Sequence, residues 1–394
     1  MTGASAGTES RLAVERLIAA RSRSIDASGI RKVFDLGAKL KDPINLSIGQ
    51  PDFPVPEAMR AAASHAVLEN RSGYSVTQGI PELHAAIWKH LQADIGWQGP
   101  SADMGCVVTS GTSGGLLLGL MAVCDAGDEF IAPDPYFVMY PQMGKMLGAK
   151  CVLCDTYPDF RMTADRVEPL ITPRTKAVLV NSPSNPCGTV MTGAELRDLV
   201  DLCRARGVLL VTDEIYDEFC FPDAREDGRC PSPARHSQDC LLIRGFGKTY
   251  GCTGWRLGYA AGPMAIIQEM CKLQQYSYVC APTPLQWGVV PSFNCDLSPQ
   301  IAEYARRRDL VLKAFDGIAE VARPGGAFYA FVEVPRRLGL TATQFVEKAI
   351  ERRVLVIPGN VFSQRDTHFR LSFATNPAKL EEGLTILREL MSAE

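Results

Sequence analysis

Between Cys106 and Ala261, short apolar and β-branched runs alternate with stretches of helical period. CVVT (106–109) precedes SGTSGG and the apolar segment LLLGLMAV. EFIAP (129–133) follows the turn AGD. KAVLVN (176–181) runs into SPSNPCGT. GAELRDLVDLCRARG has helical spacing, with Gly207 as a natural stop. GVLLVTDE (207–214) and CLLIRGF (240–246) are further apolar runs. Near-continuous apolar strands separated by helices predict an α/β fold, with a mostly parallel sheet covered by helices on both faces. Ligands of such sheets sit at the carboxyl ends of the strands, so the polar residues there are the ones to inspect.

The pattern changes near residue 298. SPQIAEYARRRDLVLKAF (298–315) reads as a long amphipathic helix that connects two units. AFYAFVEV (327–334), VLVIPG (354–359) and HFRLSFA (368–374) read as strands, with helices TATQFVEKAIERR and AKLEEGLTILREL between and after them. This α+β pattern predicts a smaller domain over 298–394. Residues 1–25 are small, polar and charged with poor periodicity, and are expected to form a mobile tip.

Composition narrows the class. Apolar residues make up 46% and charged residues 22% of the 394, which suits a globular chain and excludes a disordered one. A net charge of −3 is too balanced for a protein held to nucleic acid by charge. The longest small and apolar run, Gly114 to Cys124, has eleven residues, against about 20 for a membrane span. The N-terminus has no apolar core of signal-peptide length. Thirteen scattered cysteines read as reduced thiols of a cytoplasmic protein. Cys151 and Cys154 have the spacing of half a zinc site, but no second pair follows. His65, His84, His90, His236 and His368 stand isolated, and CVLC reads as a strand. No metal is expected.

Chemistry gathers at the predicted strand ends. Ser110-Gly111-Thr112-Ser113-Gly114-Gly115 lies between a strand and a helix, where free backbone N–H groups suit a phosphate. Asn185 sits on a turn stiffened by Pro183 and Pro186. Asp213, in Asp213-Glu214-Ile215-Tyr216, either caps a helix or faces a ligand. Lys248 lies in a glycine-rich loop, GFGKTYGCTGWRLG, with Arg256 eight residues later. A lysine among small residues at a strand end is awkward as structure but suits Schiff-base chemistry.

With these motifs in this order, the sequence resembles the fold-type I aminotransferases that use pyridoxal 5'-phosphate (PLP), the aspartate aminotransferase superfamily, over about residues 25 to 390. The matching segments are Gly49-Gln50-Pro51-Asp52-Phe53, the run from Tyr74 to Leu83, Ser182 to Gly188, Asp213 to Tyr216, GFGK and GWRLG. The resemblance implies a large PLP-binding domain over 46–297. It also implies a small domain over 298–394, joined by the N-terminal segment 26–45. Lys248 would hold PLP through its amine and serve as the general acid–base. Asp213 would pair with the ring nitrogen, and Asn185 and Tyr216 would bond the phenolic oxygen. Phe137 would stack on the ring, with Tyr136 as the neighbouring candidate. The N–H groups of Thr112 and Ser113, with Arg256, would hold the phosphate. Tyr74 would reach the phosphate of the other subunit, making a homodimer with active sites at the subunit interface. Arg370, with Asn185 and the Gly49 backbone, would grip the substrate α-carboxylate.

The implied activity moves an amino group from an L-amino acid to a 2-oxo acid by ping-pong exchange through pyridoxamine phosphate. A PLP-dependent carbon–sulfur β-lyase and a PLP-binding regulator remain as alternatives. Two departures stand out. Gly245 and Gly247 replace the serines that flank the lysine in the family, removing hydroxyl contacts to the phosphate. Ser113 stands where the bacterial aspartate branch often carries a lysine, which leaves room for alanine, aromatic or other apolar substrates. Tyr276, Ser277 and Tyr278 are further candidates for the pocket wall.

Overall fold

The computed structural model describes residues 14–26, 29, 33, 37 and 40–392. The expected tip therefore lies outside the described residues over 1–13. Val14–Leu17 and Ala20–Arg23 form short exposed helical turns. Half of the joining segment, 26–45, also lies outside them; its described part includes β1 (Ile44–Asn45).

Seven strands make the central sheet: β2 (Met104–Ser110), β3 (Glu129–Asp134), β4 (Lys150–Asp155), β5 (Thr175–Asn181), β6 (Leu209–Asp213), β7 (Leu241–Gly245) and β8 (Leu257–Pro263). Their order is β2-β8-β7-β6-β5-β3-β4. The strands from β7 to β4 are parallel, and β8 alone runs antiparallel to both its neighbours. Val107, Ile131, Val178, Val211, Ile243 and Ala260 are fully buried, as expected of strands covered on both faces. The sequence pattern missed β8, because LGYAAGP is mostly small residues with little apolar bulk to mark a strand.

Helix ends follow local chemistry. Gly193–Arg206 opens with a capping box between Thr192 and Glu195 and closes on Gly207 in the left-handed region. Ser298–Phe315 spans the predicted residues, and it fixes a distant turn. Tyr304 donates to Asp52 at 2.7 Å, and Arg307 pairs with the same carboxylate at 2.7 Å. The Gly49-to-Phe53 segment is thereby tied to this helix.

A second sheet has the order β11-β12-β9, from Ile357–Pro358, His368–Ser372 and Tyr329–Glu333, all antiparallel. β10 (Val354–Leu355) pairs in parallel with β1. VLVIPG was expected to be one strand and is two. The chain changes partner at Val356, from β1 to β12. β12 is the middle strand, so Arg370 sits in a sheet interior and is 1% exposed.

Candidate active site

Six strands, β2 to β7, run the same way and bring their carboxyl ends to one edge, and β8 begins at that edge because it runs the other way. Strand ends Ser110, Asn181, Asp213 and Gly245 and strand start Leu257 therefore converge. Gly111, the first residue of the helix Gly111–Val123, has φ +67°, and a Cβ there would lie 2.8 Å from the Arg256 guanidinium. A Cβ on Gly258 would meet the Gly111 carbonyl carbon and the Thr112 nitrogen at 2.8 Å. Only glycine lets β8 pass so close to the helix start.

Together these elements enclose a cavity of about 310 Å³. It is lined by Gly49, Thr112, Ser113, Phe137, Asn185, Asp213, Tyr216, Lys248, Arg256 and Arg370. Every predicted site residue except Tyr74 is among them. Tyr74 is 86% exposed and does not reach the pocket of its own chain. Phe137 lines the wall and Tyr136 does not. Tyr276, Ser277 and Tyr278, proposed from sequence as wall residues, do not line this cavity. They follow the helix Met264–Gln275, and Tyr276 points outward, 93% exposed.

Burial sets the electrostatics. Lys248 donates to the Gly49 carbonyl. Its amine is lowered from 10.5 to about 8, chiefly by burial, then by the Arg370 and Arg256 charges. Asp213 is raised from 3.8 to about 6 by burial, against bonds from the Tyr140 hydroxyl at 2.8 Å and the Ile215 N–H at 3.4 Å. Tyr216 and Tyr329 share a hydroxyl contact of 3.1 Å, and burial raises both. Arg370 donates through Nη1 to Asn185 Oδ1 at 3.1 Å and through Nη2 to the Ser47 carbonyl at 2.9 Å. Its guanidinium lies against the Tyr329 and Phe362 rings, 4.5 and 4.6 Å from their centroids.

Sequence reading missed Asn181, Ile215 and Tyr329 in the lining and Tyr140 behind Asp213. Asn181 orients the site by donating to the Asp213 carbonyl and accepting from the Asn185 N–H, both at 2.8 Å. It is the last residue of an apolar strand, a signal that was available. Tyr329 and Tyr140 carry no such mark. The space vacated by serine at Gly245 is taken by Ile215 and Thr112, whose methyl groups would lie 2.8 and 2.9 Å from a Cβ there.

The residues fit PLP. Arg256 and the helix start at Gly111 offer an anion cradle, and Lys248 is a buried amine of lowered pKa. Asp213 is a buried carboxylate, and the buried Arg370 Nε has no partner. Two other places are less suited. A cleft of about 980 Å³ runs past Arg161, Arg323 and His368, but Arg161 pairs with Glu195 and Arg323 with Asp223, both at 2.9 Å. His90, isolated in sequence, is brought by the fold to Asp217 and Glu218, with ligand atoms within 4.8 Å. Buried Arg244 explains that grouping. It pairs with Asp94 at 2.8 Å, Glu214 at 2.8 Å and Asp217 at 3.1 Å, so Asp217 already has a cation as partner. Cys151 and Cys154 lie on β4, and all thirteen cysteines are unpaired thiols.

Comparison with known proteins agrees with the geometry. The family model for aminotransferases of class I and II matches residues 41–387. A probable aspartate aminotransferase of Methanocaldococcus jannaschii is 34% identical, covering 95% of this chain and 100% of its own. Aromatic-amino-acid aminotransferase 2 of Thermococcus litoralis is 32% identical, covering 94% and 97%. The aspartate aminotransferase of Thermus thermophilus, solved with maleate, superposes with a TM-score of 0.87 at 32% identity, covering 95% and 99%.

Proposed function

We infer the working of this site from one premise: the chain belongs to the class I and II aminotransferases and is a PLP-dependent transaminase, moving an amino group from an L-amino acid to a 2-oxo acid. The relatives lend no support to a lyase. In the roles we assign, Lys248 carries the cofactor, Arg256 with the Thr112 and Ser113 N–H groups holds its phosphate, and Phe137 covers its ring. When bound, PLP supplies an electron sink for the substrate α-carbon. Asp213, ionised above about pH 6, would hold a proton on the ring nitrogen. Tyr216, whose hydroxyl meets that of Tyr329, would bond the phenolic oxygen. Lys248, neutral above about pH 8, takes and returns a proton at Nζ. Arg370 uses two of its five N–H donors on Asn185 and Ser47, which leaves three for a carboxylate.

One observation carries our reading of substrate class. Among the described residues, the cations lining the cavity are Lys248, Arg256 and Arg370. Each already has a role, and Ser113 brings no fourth charge. A carboxylate on the substrate side chain therefore gains no dedicated cation from the described residues. We assign the enzyme to donors with neutral side chains, aromatic or aliphatic, with glutamate serving through its family-typical 2-oxo acid. The test is kcat/KM for aspartate, glutamate, alanine, phenylalanine and leucine. Aspartate should not exceed the best neutral donor. A hundredfold preference for aspartate, about 2.7 kcal/mol, would contradict the reading and place a cation from elsewhere in the pocket.

We further propose a homodimer. Tyr74, Val76, Tyr276 and Val279 are exposed apolar residues on neighbouring segments, linked by bonds from Ser75 to Thr283 and from Gln274 to Thr77. This face suits a second copy whose site Tyr74 would complete. The unpaired cysteines support a cytoplasmic location. No described helix is long and apolar enough to cross a membrane. The pairing of β1 with β10 supports a small domain built from both ends of the chain.

A further inference from the structure

Of the described buried acids that the chemistry above does not use, Glu129 and Glu214 are paired with arginines and Asp134 is not. Asp134 ends β3 and is 6% exposed, and its Oδ1 has no hydrogen-bond partner. Its other oxygen, Oδ2, accepts from the Gln364 N–H at 3.2 Å. A buried carboxylate with one oxygen unsatisfied is a costly way to anchor a loop, so its place asks for a reason.

The loop it holds belongs to the other sheet's surroundings. Residues 359–367 join β11 to β12 and meet the strand ends of the central sheet at three further points. The Tyr136 N–H donates to the Phe362 carbonyl at 2.7 Å. The Tyr157 hydroxyl donates to Ser363 Oγ at 3.0 Å. Arg365 pairs with Asp155 and lies over the Tyr157 ring at 4.2 Å. Between these fastenings stands Phe362, fully buried, with its ring on the Arg370 guanidinium. Tyr329 covers that guanidinium too. Arg370 therefore has two ring contacts beside its two hydrogen bonds, with Nε free.

We propose that Asp134 is a positioning residue for substrate binding: by fastening the 362–364 loop, it keeps Phe362 on Arg370 and so fixes the direction in which the guanidinium meets a carboxylate. Asp134 starts the same turn that carries Phe137, so one short segment sets both the cofactor-covering ring and the ring behind Arg370. Burial raises the Asp134 carboxyl, against the bonds from Ser363 and the Gln364 N–H. This inference rests on the reading of Arg370 as the α-carboxylate site.

The experiment uses the PLP-loaded enzyme and measures KM and kcat for phenylalanine, alanine and 2-oxoglutarate, with a thermal melt on each variant. Asp134→Ala should raise all three KM values by a similar factor, about tenfold from a loosened cation–ring contact, with kcat within about twofold. Asp134→Asn keeps an acceptor oxygen and should stay within about threefold of wild type. Phe362→Leu should reproduce the KM change, and the double variant should be no worse than the poorer single one, because both act through Arg370. Unchanged KM in Asp134→Ala, equal losses in Asn and Ala, or additive losses in the double variant would each overturn the proposal. Arg370→Lys separates the two readings. If it weakens every substrate while Asp134→Ala does not, the loop claim alone fails. If it leaves every KM unchanged, both fail.

Discussion

In the proposed function Lys248 is the residue on which the chemistry turns, and its environment makes a measurable statement. Burial and two neighbouring guanidinium groups lower its amine to about 8. The charged form is disfavoured in the folded state, so its penalty to stability is present below pH 8 and relieved as pH rises from there toward the unfolded value of 10.5. The same shift exposes the nucleophilic form early. Covalent loading of cofactor-stripped protein should rise with a midpoint near pH 8, and Lys248→Ala should abolish it. A midpoint near that of an ordinary lysine would mean the amine is solvated. Lys248, Asp213, Asn185 and Arg370 were legible in the sequence because each interrupts an apolar or glycine-rich pattern in which a polar group needs a reason. Tyr329 and Tyr140 were not, because a tyrosine in an apolar strand or helix looks the same whether its hydroxyl meets a core or a ligand.

Among the elements, the antiparallel strand β8 explains most about the site. Its reversed direction brings Arg256 to the edge where the six other strands end, and Gly258 lets it touch the helix start at Gly111. Gly258→Ala would put a methyl group 2.8 Å from backbone atoms of Gly111 and Thr112, which cannot move aside as a side-chain end can. We expect this variant to fold but to bind PLP at least tenfold more weakly, about 1.4 kcal/mol, as read by absorbance titration. Wild-type affinity would show that the helix start does not hold the phosphate. The parallel strands were legible because their apolar runs are continuous. β8 and the β10–β11 break were not, since small residues mark no period and a change of pairing partner leaves no trace in composition.

At the scale of the whole molecule, the site draws on segments from Gly49 to Arg370, and the long helix Ser298–Phe315 ties one of them down through Asp52. Tyr74 is the one predicted site residue that this assembly leaves outside. If it completes a partner's site, the protein in solution should have twice the chain mass by light scattering. Tyr74→Phe should then remain dimeric yet bind PLP about tenfold more weakly, the scale of one lost bond to a charged group. A fully active monomer would contradict this. The central claim is that one cavity, built around Lys248, keeps an amino group rather than releasing it. The most direct measurement mixes enzyme-bound PLP with one equivalent of a neutral L-amino acid, without acceptor, and follows absorbance and free ammonia. The account predicts stoichiometric conversion to pyridoxamine phosphate with one oxo acid per site and no ammonia, reversed by adding 2-oxoglutarate. Ammonia released with the cofactor restored would contradict it.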